Sequence, residues 1–245
     1  MLFSIITVCH NAARTIAPTL RSIQEQTWTD FEYIVKDGAS SDGTQQAVID
    51  SGIPGLRFIS EPDSGIYDAM NHAMSMAKGE YLIFLNAGDS FASPDTLSHF
   101  AEAIRRHDYP GIVYGQTKTV DSERTVIGDR HLRAPEQLSL KSFADGMVVC
   151  HQAMAVLRKI SDRYDTSYRF SADYLWSIHC LQHSRHNVYL DECVIHYLNE
   201  GTTTANRYSS LLERLRIMCR YYGVLPTLLR HVKFAYRSIR RGSIG

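Results

Sequence analysis

The sequence predicts an α/β fold in which helices flank a single, mostly parallel sheet of Rossmann-like character. Short β-branched and aromatic runs recur along the first half of the chain, and apolar residues at helical spacing lie between them. Each run also ends in a polar segment, most of them carrying a glycine. Phe3 to Val8 is a continuous apolar run of strand length, as a strand buried on both faces requires. Ile16, Leu20 and Ile23 follow at helical spacing, with Pro18 near the helix start. Phe31 to Val35 and Leu56 to Ile59 give the second and third strands. Ala69, Ala73, Met76 and Ala77 mark the next helix, which Gly79 is placed to end, and Tyr81 to Leu85 and Gly111 to Tyr114 are the following strands. Residues 116–150 read as irregular or partly antiparallel. A helix around Ala172 to Gln182 and a strand around Val188 to Tyr197 come next, then a Gly201-Thr202-Thr203-Thr204 break and a helical tail. The expected organisation is a domain over 1–205, with halves 1–115 and 116–205, and a basic tail over 206–245.

Composition narrows the function classes. With 245 residues and 44% hydrophobic content the chain can bury an ample core. Lys and Arg total 26 and Asp and Glu total 26, yet no acidic residue follows Glu213, so the last stretch carries +8 and residues 1–213 carry −8. Five cysteines without a C-x-x-C pair argue against a disulfide framework or a zinc site. Leu2 to Val8 lacks the basic start of a leader, and no run of about 18 apolar residues occurs. A cytoplasmic chain is the expectation.

Ligands of open parallel sheets bind outside the carboxyl ends of the strands. The residues there are Thr7 to Asn11, Asp37 to Thr44, Glu61 to Gly65 and Asn86 to Asp89. Any one of these loops is ordinary turn and capping chemistry; four together on one edge point to a site. Neither a Gly-x-Gly-x-x-Gly after the first strand nor a P-loop is present. A carboxylate-rich edge without phosphate-cradling glycines calls for a divalent cation, Mg²⁺ or Mn²⁺, at a hard ligand such as Asp89.

The segments Ser4-Ile5-Ile6-Thr7-Val8, Asp37-Gly38-Ala39-Ser40-Ser41-Asp42-Gly43-Thr44, Glu61 through Asn71 and Lys78 through Asp89 resemble family 2 glycosyltransferases of the GT-A fold. The likeness is dense over residues 1–90 and looser over 91–205. It is similar above all to the bacterial enzymes of exopolysaccharide, colanic acid and O-antigen assembly. The resemblance implies that Asp37 contacts the nucleotide base, with Thr7 beside it, and that Asn86 to Asp89 stands at the Asp-x-Asp metal motif. Asn86 and Gly88 leave Asp89 as the one carboxylate there. Glu61, Asp63, Asp68 and Asn71 are implied to shape the sugar and ribose pocket, while Met70 stands where many members have an arginine for the donor phosphate. Ser171-Ala172-Asp173-Tyr174, with Asp173 84 residues after Asp89, resembles the catalytic-base motif. His151 and Gln152 match a His-Gln pair on the acceptor side; for His151, a structural role and substrate or metal contact stand open.

An inverting, non-processive transfer of one sugar from a nucleotide-sugar donor, with a UDP-sugar foremost, to a saccharide or lipid-linked acceptor is therefore expected. Processive members carry a Gln-x-x-Arg-Trp motif and spanning helices, which are absent here. A catalytically inactive nucleotide-sugar-binding scaffold and a sugar nucleotidyltransferase are the competing readings. In the tail, a helix over 225–241 would put Leu225, Leu228, Leu229, Val232, Tyr236 and Ile239 on one stripe beside Arg230, Lys233, Arg237 and Arg240. That is the pattern of an interfacial membrane helix at the inner face of the cytoplasmic membrane, or of a helix docked on the domain with a solvated basic face. No nucleic-acid-binding motif accompanies it.

Overall fold

The computed structural model describes residues 1–199 and 207–232. Its elements run β1 (Phe3–Cys9), α1 (Ile16–Gln24), β2 (Phe31–Asp37), α2 (Thr44–Asp50), β3 (Leu56–Ser60), α3 (Ile66–Met76), β4 (Tyr81–Phe84), β5 (Ser90–Phe91) and α4 (Thr96–Arg106). There follow β6 (Ile112–Val120), β7 (Val126–Asp129), β8 (Met154–Leu157), α5 (Ala172–His183), β9 (Asn187–Leu198), α6 (Arg207–Tyr222) and α7 (224–232). The strands form one sheet in the order β3-β2-β1-β4-β8-β6-β9-β5, with β7 hairpinned on β6. β3, β2, β1 and β4 are parallel neighbours. β8 runs against both β4 and β6, so β6 and its parallel partner β9 point the same way as β4. Six strands therefore end on one edge, and the segment entering β8 starts there too.

The expected strands and the helix at α5 are present, and the predicted parallel α/β sheet is the sheet observed. α4 and β8 were not expected. Leu97, Phe100, Ala101 and Ile104 give α4 one fully buried face, and β8 is a four-residue strand that fills the centre of the sheet. The helix that begins the expected tail is no appendage. Ile217 and Met218 of α6 are buried in the common core, and Glu213 accepts the backbone N–H groups of Arg169 (2.9 Å) and Phe170 (2.8 Å). The expected boundary near residue 205 had set the whole tail apart; the packing of α6 joins that helix to the domain. Residues 233–245, and with them the remainder of the expected 225–241 helix, lie outside the described residues.

Gly79 has a different role from helix termination. α3 is already closed at Ala77, whose backbone is extended. Gly79 instead lies against β1, where a Cβ would run into the backbone of Phe3 and Ser4. Its N–H donates to Ser4 Oγ at 2.8 Å, and Ser4 Oγ donates to Glu32 Oε1 at 2.6 Å. Burial raises the Glu32 pKa, but the hydrogen bonds from Ser4, Lys78 N–H and Arg57 outweigh it and hold the carboxyl below its usual range. This knot ties β1, β2 and β4 at the edge opposite the site. Gly79→Ala is expected to lower unfolding free energy in urea by about 1–3 kcal/mol, because backbone rather than a side chain must move.

Candidate active site

The loops after β1 and β2 are cross-linked into one surface. Asn11 N–H donates to Ser40 Oγ (2.7 Å), Ser41 N–H to Asn11 Oδ1 (3.1 Å) and Ala12 N–H to Thr44 Oγ1 (2.7 Å). Asp42 accepts from Ala13 N–H (3.0 Å) and from Thr44 N–H (3.0 Å), holding the start of α2 to the start of α1. Beneath them Lys36 is buried, and its ammonium donates to Asp37 O (2.9 Å), Glu61 O (2.7 Å) and Asp63 Oδ2 (3.4 Å). All three N–H groups are used, so Lys36 fixes the β2 and β3 ends relative to each other. No feature of the sequence pattern had marked it.

Several expected donor contacts are committed inside the fold. Thr7 is fully buried; its Oγ1 donates to Leu85 O (2.6 Å) and accepts from Tyr33 Oη (2.9 Å), joining β1 to β4 and β2. Asn71 is likewise buried and clamps the backbone of Tyr164 in both directions, at 2.9 and 2.7 Å. Both are corrected from donor contacts to internal ties. Asp37 is buried and accepts from Ser40 Oγ and N–H, Ser60 Oγ and Cys9 Sγ. Burial raises its pKa, and these hydrogen bonds, led by Ser40, more than reverse the shift. It anchors the loop, and a base can reach it only by displacing one of these donors. Glu61, Asp63 and Asp68 keep exposed or half-exposed positions at the edge. Glu61 pairs with His72 at 2.8 Å, Asp63 accepts from Gly65 N–H at 3.0 Å, and Asp68 accepts from Ser64 N–H at 3.0 Å at the start of α3.

The turn after β4 holds the most unusual group. Asp89 is only 4% exposed, accepting from Leu198 N–H on Oδ1 (3.1 Å) and from Gln152 Nε2 on Oδ2 (2.9 Å). Burial pushes its pKa up to about 7 despite these bonds and the nearby His151 and Arg124. Asn86 Oδ1 is buried without a partner. Gly88 has φ +103°, and a Cβ there would stand 3.0 Å from Leu198 Cδ2. An aspartate at 88 would thus be strained and crowded. Among the described residues no group of three or more His, Cys, Asp or Glu side chains is placed to hold a metal ion. As placed, one buried carboxylate with an N–H on each oxygen is an internal anchor, a donor set that does not fit a divalent cation.

Asp173 occupies the second position of α5 and remains 19% exposed. Tyr67 Oη donates to its Oδ1 at 3.1 Å, and His151 Nδ1 stands 3.5 Å from its Oδ2. Burial raises its pKa, while the hydrogen bond and charge of His151, the charge of Arg214 and the Tyr174 N–H together bring it below the usual range. Tyr67 itself stacks on Tyr164 with centroids 5.4 Å apart, and Tyr164 stacks on Trp176 at 5.1 Å. His151 Nε2 is buried with no partner. The 151–153 turn thus bridges two acids, His151 meeting Asp173 and Gln152 meeting Asp89. Tyr67 and Arg214 were missed by sequence reasoning, since each meets Asp173 only through the fold.

The α/β sheet, its carboxylate-bearing edge and the acid at a helix start are the features that the resemblance to GT-A transferases implied. The chain belongs to the family described as Glycosyl transferase family 2, whose sequence profile matches residues 4–164. It is similar to a PGL/p-HBAD biosynthesis glycosyltransferase of Mycobacterium tuberculosis, with 34% identity over 185 residues that cover 73% of this chain and 69% of the relative. A chondroitin synthase of Escherichia coli shares 29% identity over 130 residues, covering 52% of this chain and 19% of that one. Among solved structures, S. aureus TarS 1–349 in complex with UDP-GlcNAc superposes with a TM-score of 0.75 at 19% identity, covering 96% of this chain and 73% of that one. Mannosyltransferase PcManGT from Pyrobaculum calidifontis, in complex with GDP-Man and Mn²⁺, gives 0.66 at 16% identity, covering 96% and 75%. The chain is a glycosyltransferase of GT-A fold.

The raised Asp89 pKa makes stability pH-dependent. Below the ordinary carboxylate range both folded and unfolded states hold the proton. Between that range and about pH 7 only the folded state keeps it, so this group's contribution falls as pH rises and levels off above. Asp89→Asn removes the titration. Relative to that variant, the wild-type chain is expected to lose on the order of 2 kcal/mol between pH 5 and pH 8 in parallel urea melts.

Proposed function

We propose that this chain transfers a single sugar, with inversion, from a nucleoside-diphosphate sugar to a hydroxyl of a saccharide or lipid-linked saccharide. The observation that carries this is Asp173: an ionised, partly exposed carboxylate at the strand-end edge, oriented from two sides by Tyr67 and His151. In the transfer the acceptor oxygen forms its bond to the anomeric carbon and gives its proton to Asp173. The bond from that carbon to the β-phosphate oxygen breaks on the opposite face, and its electron pair leaves with the nucleoside diphosphate. Tyr67 and His151 hold the carboxylate in place during this step; His151 and Gln152 are positioning residues in this account.

Glu61, Asp63 and Asp68 line the edge where the sugar and ribose hydroxyls are to bind, on the exposed side of the Lys36 anchor. Asn86 adds an unsatisfied carbonyl oxygen to the same edge. A UDP-sugar is the first donor to test, because the fold neighbour with UDP-GlcNAc superposes with a TM-score of 0.75 against 0.66 for the one with GDP-Man. Mg²⁺ or Mn²⁺ is the cation expected from the motif's resemblance, but the Asp89 donor set does not support it, and the transfer is written without it. Cell-surface polysaccharide assembly of the exopolysaccharide or O-antigen kind is the setting this reading favours. A binding scaffold would not need an ionised, partly exposed carboxylate at Asp173.

Membrane association belongs to the same reading. Among the described residues no helix is long and apolar enough to cross a membrane. On α7, however, Leu225, Leu228, Leu229 and Val232 are 69, 48, 58 and 67% exposed, so the stripe faces outward rather than onto the domain. The chain after Glu213 carries only basic charge, complementary to anionic lipid. α6, which precedes α7, packs beside Asp173 through Arg214, so a docked tail brings the acceptor side near the lipid surface.

Two outcomes test the reading. Asp173→Asn is expected to keep nucleotide binding and to lose about 100-fold or more in transfer, measured as nucleoside diphosphate release from a panel of UDP-, GDP- and dTDP-sugars. Unchanged release in that variant removes the base assignment. Wild-type chain is expected to sediment with phosphatidylglycerol vesicles and not with phosphatidylcholine vesicles, and Leu225→Ser/Leu229→Ser to stay in the supernatant with both.

A further inference from the structure

We propose that Arg124, on the hairpin between β6 and β7, is the cationic group that binds the donor's diphosphate and offsets the charge it gains on leaving. The proposal rests on the glycosyl-transfer reading and replaces the cation that the motif's resemblance to metal-binding members implies.

The topology brings Arg124 to the site. β6 runs parallel to β4, so the hairpin after Val120 emerges on the edge where the β4 turn, Asn86 to Asp89, is found. The hairpin is tightly held: Arg124 N–H donates to Asp121 O (3.0 Å) and Thr125 N–H to Asp121 Oδ1 (2.9 Å), with Arg124 at φ +67°. A non-glycine residue in the left-handed region is uncommon and is retained here by these bonds. The guanidinium then lies on the β4 turn itself. Nη1 donates to Gly88 O at 2.6 Å and Nη2 to Ser90 Oγ.

Gly88 is the residue at which a second carboxylate is missing from the motif, and its backbone is unsuited to one. The turn thus lacks a side-chain carboxylate at 88 that would hold a cation, and its main-chain carbonyl there holds a guanidinium. Three of the five guanidinium N–H groups are not used by Gly88 and Ser90, and the side chain is only half-buried, so it can still donate to phosphate oxygens. Other positions at the edge offer less. Met70, where an arginine would meet the donor phosphate in many related enzymes, is fully buried in the core. Lys36 is buried and spends its three N–H groups on Asp37, Glu61 and Asp63. Among the described residues Arg14, exposed on the loop after β1, is another cation near the strand ends.

The test is isothermal titration of the full chain with UDP, UMP, GDP and GMP, in EDTA and again with Mn²⁺. In EDTA the wild-type chain is expected to prefer one nucleoside diphosphate over its monophosphate by about tenfold or more, as charge-assisted bonds to a second phosphate provide. Mn²⁺ is expected to change that affinity by less than about threefold. Arg124→Gln, which keeps a donor for Gly88 O and loses the charge, is expected to bind the diphosphate and monophosphate alike while melting like wild type. Arg124→Lys is expected to recover part of the preference. A diphosphate affinity that collapses in EDTA overturns the proposal, as does a preference retained by Arg124→Gln or lost instead in Arg14→Ala. Wild-type chain that binds no nucleotide under any condition removes the transfer reading itself, an outcome distinct from these.

Discussion

The site depends on one short turn. Residues 151–153 enter β8 between β4 and β6, and their two polar side chains reach in different directions: His151 toward Asp173 and Gln152 toward Asp89. Asp89 belongs to the half of the sheet built by β1 to β4, and Asp173 to the helix that covers the other half. Holding the two acids against adjacent residues of one turn fixes the distance between the halves. Cys150 Sγ donates to Gln152 Oε1 and so selects which end of the amide faces Asp89. A bridge of this kind costs desolvation at every polar atom, and it holds because nearly every one of those atoms has a partner. His151 Nε2, Asn86 Oδ1, Tyr164 Oη and Arg214 Nε, all near the acids, are among the exceptions.

The same economy governs the donor edge. Asp37, Asp42 and Lys36 are spent on holding loops: Asp37 accepts from Ser40 N–H, Asp42 from Ala13 and Thr44 N–H, and Lys36 donates to Asp37 O. Such loops lose little further freedom when a ligand binds, which lowers the entropic cost of recognition. The exposed carboxylates Glu61, Asp63 and Asp68 then stand on a frame that is already fixed. Rigid support beneath and half-exposed polar groups above is the arrangement in which hydroxyl recognition has orientational precision.

Much of the fold was legible because buried parallel strands are continuous apolar runs, and Phe3 to Val8 or Tyr81 to Leu85 has no other plausible use. β8 was hidden because Met-Ala-Val-Leu is too short to separate from a buried turn, and because its antiparallel insertion between β4 and β6 depends on partners far away in sequence. The joining of α6 to the core was hidden for the reverse reason: basic charges dominate its composition, while Ile217 and Met218 alone anchor it. At the strand-end edge, residue type pointed to loops that the fold brings together, without fixing the direction of each side chain. Thr7 and Asn71 are the residues expected at a polar edge, yet pleat and helix phase turn both inward. The place of Asp173 at a helix start was legible, since the motif lies where the helix begins. Tyr67, Arg124 and Arg214 were not, because only the folded sheet brings them to acids or turns that lie 36 to 106 residues away.

Charge along the β4 turn shows why composition misleads here. Counted from sequence, Asn86 to Asp89 contributes one negative charge and reads as an electropositive-ion site. In the fold, Asp89 is withdrawn from solvent and holds its proton to about pH 7, whereas Arg124 lies on the carbonyl of Gly88 and Ser90 Oγ. At neutral pH the turn therefore carries a whole positive charge against a fractional negative one. The N–H groups of Gln152 and Leu198 that face Asp89 diminish its field further. A turn of this polarity attracts anions directly. The carboxylate that the motif retains serves the architecture, and the positive charge lying on the turn comes from a hairpin the motif does not contain.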